Sequence, residues 1–130
     1  MFKYGIELLT TGKALDILER KITAEVDEAA REKSEKCHQN VLTIASRDNA
    51  VYGINTGFGP LCTTKVSKET TSELQRKLLL SHSVGVGYPV PKKIAKLMMI
   101  LKVHSLAQGY SGISMEIINR ILWHIENDVI

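Results

Sequence analysis

A tyrosine on a glycine-rich run is the first candidate for chemistry in this 130-residue chain. Residues 52–59 read Tyr-Gly-Ile-Asn-Thr-Gly-Phe-Gly, which places the reactive phenol of Tyr52 among Gly53, Gly57 and Gly59. Glycine adopts positive φ without steric cost, so this run can fold over a ligand and swing away from it. It indicates a mobile loop that carries a chemical group. A glycine-rich connection whose tyrosine merely packs is the alternative, and the local sequence leaves it open.

A histidine near a second glycine-rich turn is the other candidate. Leu74, Leu78 and His82 recur at four-residue steps, which places His82 on the apolar stripe of a helix that ends before Gly85-Val86-Gly87. A polar group on an apolar face needs a buried partner or a ligand. The spacing alone favours a buried, satisfied core histidine over a ligand-binding one.

Other catalytic and cofactor-binding patterns are missing from the sequence. The four histidines lack metal-ligand spacing, so no metal site is predicted. Gly12-Lys13 lacks the earlier glycine of a phosphate-binding loop, and Gly85-Val86-Gly87 follows a helix where a dinucleotide motif follows a strand. No Gly-x-Ser-x-Gly motif is present either, which argues against a serine hydrolase.

Composition predicts one soluble domain in the cytoplasm. The chain has no long apolar run and no signal-peptide pattern, and its two cysteines are not spaced as a redox or zinc motif. Its net charge is +3, and residues 47–110 carry nine basic against three acidic side chains. This excess indicates either solvated helix faces or a field that attracts an anionic ligand such as a carboxylate. Aromatic residues make up only 5%, so nucleic-acid binding is a poor fit.

The elements that must position Tyr52 and His82 are predicted to be helices, so the fold class is mainly α. Thr10 and Thr11 begin a short helix, Ser67 is a good N-cap before the His82 helix, and Pro91 opens the next one. The predicted helices end near Arg20, Ser46, His82, Gln108 and Ile125. Residues 92–108 are apolar on nearly every face, which indicates a buried helix that needs neighbours absent from these 130 residues.

Three blocks of sequence carry a resemblance to a known family. They read VYGINTGFGP from Val51, ELQRKLLLSHSVGVG from Glu73 and LKVHSLAQGYSGI from Leu101. In order and spacing they resemble the amino-terminal part of the aromatic amino acid ammonia-lyases, most of all the branch that acts on histidine. Residues 1–130 are therefore expected to form the amino-terminal domain of that helical fold, with the active-site loop and the start of the central helical region.

The resemblance implies an enzyme that removes ammonia from L-histidine to give urocanate. Tyr52 matches the loop tyrosine that acts as catalytic acid or base, and His82 matches the position that selects the substrate. The remaining positions of the active-site loop are Gly53, Asn55, Thr56, Gly57 and Gly59. The family uses an electrophilic 4-methylideneimidazol-5-one group made from an internal Ala-Ser-Gly, and it assembles as a homotetramer.

This sequence departs from the family pattern in one large respect. It contains no Ala-Ser-Gly, which in the family lies a little beyond the position of Ile130. The chain is therefore expected to be a fragment that does not turn over histidine by itself. His104 and Gln108 also stand where the family more often has asparagine and a basic residue. A tyrosine ammonia-lyase or aminomutase, and a non-catalytic interaction protein derived from the lyase, remain alternatives.

Overall fold

The computed structural model describes residues 1–56 and 68–130, and the described chain is mainly helical, as predicted. Five helices and two short strands follow one another in this part of the chain. In chain order they are β1 (Phe2–Tyr4), α1 (Thr11–Leu18), β2 (Ala24–Val26), α2 (Glu28–Ala45), α3 (Lys68–His82), α4 (Lys92–Leu106) and α5 (Met115–Asn127). Among the described residues, no helix has the length and apolar character needed to cross a bilayer.

The helix boundaries agree with the sequence signals within a few residues. The Thr10 hydroxyl accepts a hydrogen bond from the Lys13 amide at 3.3 Å, which caps α1 as predicted. Helix α1 ends two residues before Arg20, whose φ of 60° takes the chain out of the helical region. Pro91 directly precedes α4, in agreement with the prediction that it opens this helix. Ser67, the predicted N-cap of α3, lies outside the described residues.

The two strands were not predicted from the sequence. β1 and β2 pair in parallel, with Phe2 opposite Ala24 and Tyr4 opposite Val26. Each strand has three residues, which is too short for an alternating pattern to stand out. The Phe2 and Tyr4 side chains are both 1% exposed, so this small sheet anchors the amino terminus in the core.

The chain divides into two compact units. Unit 1 comprises Met1–Asn40 and Pro89–Ile130, and unit 2 comprises Val41–Tyr88. The core of unit 1 joins β1 and β2 to the buried faces of α1, α2, α4 and α5. Its most completely buried members are Phe2, Tyr4, Ala30, Ile100, Val103, Ala107 and Ile118. Burial raises the pKa of the Tyr4 phenol to about 12, so this phenol stays protonated at neutral pH.

Helix α4 is only partly buried within unit 1. Ile100 and Val103 are fully buried, whereas Met98 on the other side of the helix is 60% exposed. Lys96 is 6% exposed, and its ammonium contacts the Asp128 carboxylate at 2.5 Å. One face of α4 therefore packs in the core, and a second apolar face of this helix is exposed to solvent in the described structure.

Candidate functional site

Tyr52 lies at the corner of a tight turn. The Ile54 amide donates a hydrogen bond to the Val51 carbonyl at 3.1 Å, which closes the turn over Tyr52 and Gly53. Gly53 has a φ of +79°, the left-handed conformation that a glycine at the third position of a type II turn adopts without strain. The turn directs Tyr52 outward, and its side chain is 63% exposed.

Asn55 holds the base of this turn. Its side-chain oxygen accepts a hydrogen bond from the Val51 amide at 2.8 Å, and its side-chain nitrogen donates to the Asn49 carbonyl at 3.0 Å. Asn55 is only 5% exposed, so both bonds are made by a buried side chain. The sequence predicted Asn55 as an active-site loop residue, and the structure gives it a structural role in positioning Tyr52.

The rest of the predicted loop is described only in part. Thr56 is 4% exposed, and no described residue hydrogen-bonds its buried hydroxyl. Gly57 and Gly59 lie outside the described residues. The described part of the loop is therefore a hydrogen-bonded turn over residues 51–55, followed by a buried threonine.

His82 is the last residue of α3, and its side chain is exposed. The apolar stripe that the sequence indicated does not reach it: Leu74 and Leu78 are half-buried, and exposure resumes from Leu79 onward. The interpretation of His82 as a buried core histidine is therefore wrong. A histidine that faces solvent at the end of a helix is instead available to a ligand.

The His82 ring makes two close contacts through Nδ1. This nitrogen lies 2.9 Å from the Ser81 hydroxyl oxygen and 3.0 Å from the Leu78 carbonyl oxygen. The Ser81 hydroxyl also donates a hydrogen bond to the Leu78 carbonyl at 3.0 Å. The contact between the Ser81 hydroxyl and the His82 ring could not be predicted from the spacing of residues in the sequence.

The structure places Tyr52 and His82 in the same compact unit, Val41–Tyr88. Unit 1 contains a separate cavity of about 310 Å³, whose wall includes Tyr4, Arg20, Lys96 and Leu122. None of the predicted site residues lines that cavity. Within the described residues, the side chains suited to proton transfer and ligand recognition that the sequence singled out therefore belong to unit 2.

Solved structures that superpose on this chain indicate the class of protein to which its fold belongs. A tyrosine aminomutase from Streptomyces globisporus superposes with a TM-score of 0.85 and 27% identity, covering 95% of this chain and 24% of that protein. A histidine ammonia-lyase from Trypanosoma cruzi superposes with a TM-score of 0.79 and 30% identity, covering 96% of this chain and 24% of that one. Both share the mainly helical fold described above.

The sequence then identifies the family. The profile of the aromatic amino acid lyases matches residues 9–130, and the chain belongs to this family. A probable histidine ammonia-lyase from Thermoplasma volcanium is 41% identical over 106 residues, which cover 82% of this chain and 21% of that protein. The chain thus spans about a fifth of the length of its curated relatives.

Proposed function

We propose that this chain is the amino-terminal part of a histidine ammonia-lyase, an enzyme that converts L-histidine to urocanate and ammonia. The observation that carries the proposal is the exposure of Tyr52 and His82 from one compact unit, because these are the two side chains to which the family resemblance gives roles. The 41% identity with a probable histidine ammonia-lyase supports histidine as the substrate.

In this proposal Tyr52 transfers a proton at the reacting amino acid. Its position at the corner of the turn leaves the phenol accessible, while the Asn55 amide fixes the backbone beneath it. Phenols are weak acids, so proton transfer by Tyr52 requires a partner that the complete active site supplies. His82 recognises the side chain of the substrate from the end of α3.

The electrophilic group of the family has to come from outside these residues. No Ala-Ser-Gly occurs in the sequence, so the residues present do not fit formation of a 4-methylideneimidazol-5-one group. We accordingly propose that the activity belongs to a longer, homotetrameric cytoplasmic protein, and that the 130-residue chain alone does not release urocanate. Tyr52 and His82 are the contribution of this chain to that site.

A chimeric enzyme tests the proposal. This chain replaces the matched amino-terminal segment of the Thermoplasma volcanium relative, with which it shares 41% identity. The chimera is expected to form urocanate from L-histidine, measured by absorbance, whereas the 130-residue chain alone forms none. A chimera that folds and carries the absorbance of its prosthetic group, yet forms no urocanate, would contradict the proposal.

Two matched variants of the chimera test the role of Tyr52. Tyr52→Phe removes only the hydroxyl and is expected to lower kcat at least a hundredfold, within the range that general acid or base catalysis contributes. Tyr88→Phe removes the same group from another tyrosine of unit 2, which is 99% exposed, and is expected to leave kcat unchanged. Equal activities of the two variants would exclude Tyr52 as the catalytic group.

Tyrosine is the second candidate substrate. The TM-score with the tyrosine aminomutase, 0.85, exceeds the value of 0.79 with the histidine ammonia-lyase, and the identities are similar at 27% and 30%. The same chimera decides between the two substrates when it is given L-tyrosine and the formation of both coumarate and β-tyrosine is measured. Formation of these two products that together exceeds urocanate formation would replace histidine by tyrosine in the proposal.

A further inference from the structure

The cavity of unit 1 combines hydrogen-bond donors with an apolar lining. Its volume is about 310 Å³, near the lower limit of small-molecule sites in proteins, and all of its wall belongs to unit 1. Ile17 and Ile125 are buried in this wall, and Leu122 is half-buried. The side chains of the wall that carry a charge or a hydroxyl are Tyr4, Arg20, Thr23, Lys96 and Glu126. The cavity therefore suits a small ligand with one polar and one apolar part.

The Tyr4 hydroxyl is a buried donor in this wall. Tyr4 is 1% exposed, and no group in the described part of the chain hydrogen-bonds its hydroxyl oxygen. Buried hydroxyls are normally paired, because an unpaired one costs free energy. Burial raises the pKa of this phenol to about 12, so the hydroxyl carries its proton at neutral pH. A ligand that satisfies it has to accept a hydrogen bond.

Two cations in the same wall have further donors. The Arg20 guanidinium donates one of its five N–H groups to the Glu126 carbonyl at 2.9 Å, and it lies 3.7 Å from the Asp128 carboxylate. The Lys96 ammonium has three N–H groups and contacts the same carboxylate at 2.5 Å. With the Glu126 side chain, two carboxylates balance these two cations. The wall therefore offers donors to one negative charge and does not favour a ligand with two.

We propose that this cavity is a binding site for a monocarboxylate with a short apolar chain. The carboxylate accepts hydrogen bonds from the Tyr4 hydroxyl and the Arg20 guanidinium, and such charge-assisted bonds are stronger than neutral ones. The chain packs against the isoleucine and leucine side chains of the wall. A second carboxylate on the ligand would have to be buried against these apolar groups, which is costly. The site uses no residue to which the proposed function gives a role.

Three ligands of five carbons test the chemical class. Pentanoate, glutarate and pentylamine are each titrated into the ¹⁵N-labelled 130-residue chain at neutral pH and constant ionic strength, and ¹H–¹⁵N spectra are recorded. Only pentanoate is expected to give saturable shifts of the Ile22, Thr23 and Ala24 amides, which belong to the cavity wall. Saturable shifts confined to the amides around Met98 would place the ligand on the exposed apolar face of α4 and overturn the proposal.

A pair of tyrosine variants tests the buried donor. Tyr4→Phe keeps the ring and is expected to weaken pentanoate binding at least tenfold, in line with a hydrogen bond to a charged group. Tyr110→Phe is the matched control, because Tyr110 is 79% exposed in unit 1 and does not line the cavity. Without ligand, Tyr4→Phe should not lower the urea unfolding midpoint, since the hydroxyl that it removes has no described partner. This measurement separates lost binding from misfolding.

A pair of charge variants tests the guanidinium. Arg20→Gln is expected to weaken pentanoate binding about two- to fivefold, because the Arg20 side chain is 58% exposed and its charge is partly screened. Lys21→Gln removes the same charge one residue along the chain, outside the cavity wall, and should leave binding unchanged. Three results would overturn the proposal: no saturable binding of pentanoate, glutarate or pentylamine binding as tight as that of pentanoate, or equal affinities of Tyr4→Phe and Tyr110→Phe.

Discussion

Replacing Gly5 by alanine adds only one methyl group, yet it should destabilise unit 1 strongly. Gly5 has a φ of +86°, and a Cβ built there would lie 2.5 Å from both the Ala107 carbonyl oxygen and the Ala30 Cβ. Both neighbours are buried, and neither belongs to a flexible side chain that could move aside. The substitution therefore imposes backbone strain and overpacking at the same position.

The expected loss of stability follows from the backbone strain and the overpacking. The left-handed conformation costs about 1–2 kcal/mol for a residue with a Cβ, and overpacking a close-packed core costs about 1–3 kcal/mol. We expect Gly5→Ala to lower the free energy of unfolding by about 3 kcal/mol, which is more than a hundredfold in the unfolding equilibrium constant. With a urea dependence of about 1.5 kcal/mol per molar, the unfolding midpoint falls by roughly 2 M.

Urea titration followed by tryptophan fluorescence measures this loss. Trp123 is the single tryptophan of the chain and lies in α5, so its signal reports on unit 1. Gly12→Ala is the matched control, because no atom lies within 4 Å of its Cβ position and Gly12 is in helix α1. Alanine there should stabilise by about 0.5–1 kcal/mol. If Gly5→Ala and Gly12→Ala changed stability equally, the steric reasoning would be refuted.

Three further measurements test the described contacts. Burial holds the pKa of His104 below its ordinary 6.5. Stability is therefore expected to be constant above pH 6.5 and to fall as pH drops from 6.5 toward the pKa of the folded state. Urea unfolding midpoints measured across this pH range should show the fall in the unaltered chain and not in His104→Asn. The hydrogen bond from Lys96 holds the pKa of Asp128 below 3.8, so its contribution is present above that pH and is lost as pH falls through the folded pKa. Asp128→Asn should abolish that acid dependence and destabilise the chain at neutral pH, because Lys96 is 6% exposed and loses its partner; unchanged urea midpoints would contradict this. Met98 is 60% exposed on the apolar face of α4, which is expected to promote self-association. Met98→Lys should therefore reduce the dependence of the elution volume on protein concentration and the binding of a hydrophobic dye, whereas Leu8→Lys, at a residue that is 78% exposed, should not. Equal behaviour of the two variants would contradict self-association through the α4 face.

The helices could be predicted because their signals are local. Thr10 caps α1 with its own side chain, and Pro91 precedes α4 because its fixed φ suits a helix start. The two strands could not be predicted, because their stability comes from pairing across twenty-two residues of sequence, as between Phe2 and Ala24. The burial of Lys96 could not be predicted for the same reason, since its partner Asp128 caps the carboxyl end of α5.

The candidate site shows the same division. The sequence predicted Tyr52 and His82 as site residues, but helical periodicity placed His82 on a buried face. His82 is exposed, so the apolar stripe of α3 ends at Leu78. The support that Asn55 gives to the turn and the contact of Ser81 with the His82 ring depend on hydrogen-bond geometry over short distances, which residue type and spacing do not specify. The prosthetic group, the histidine specificity and the homotetramer remain predictions.

The sequence by itself determined the helical class, the glycine turn around Tyr52 and the family, because capping residues, periodicity and motifs are all encoded locally. Only the tertiary structure decided that Tyr52 and His82 face solvent from one unit, that Asn55 supports the turn, and that Gly5 admits no side chain between Ala30 and Ala107. The physical reason is that exposure and close contact depend on which segments pack against each other, and the segments that contact Gly5 are far from it along the chain.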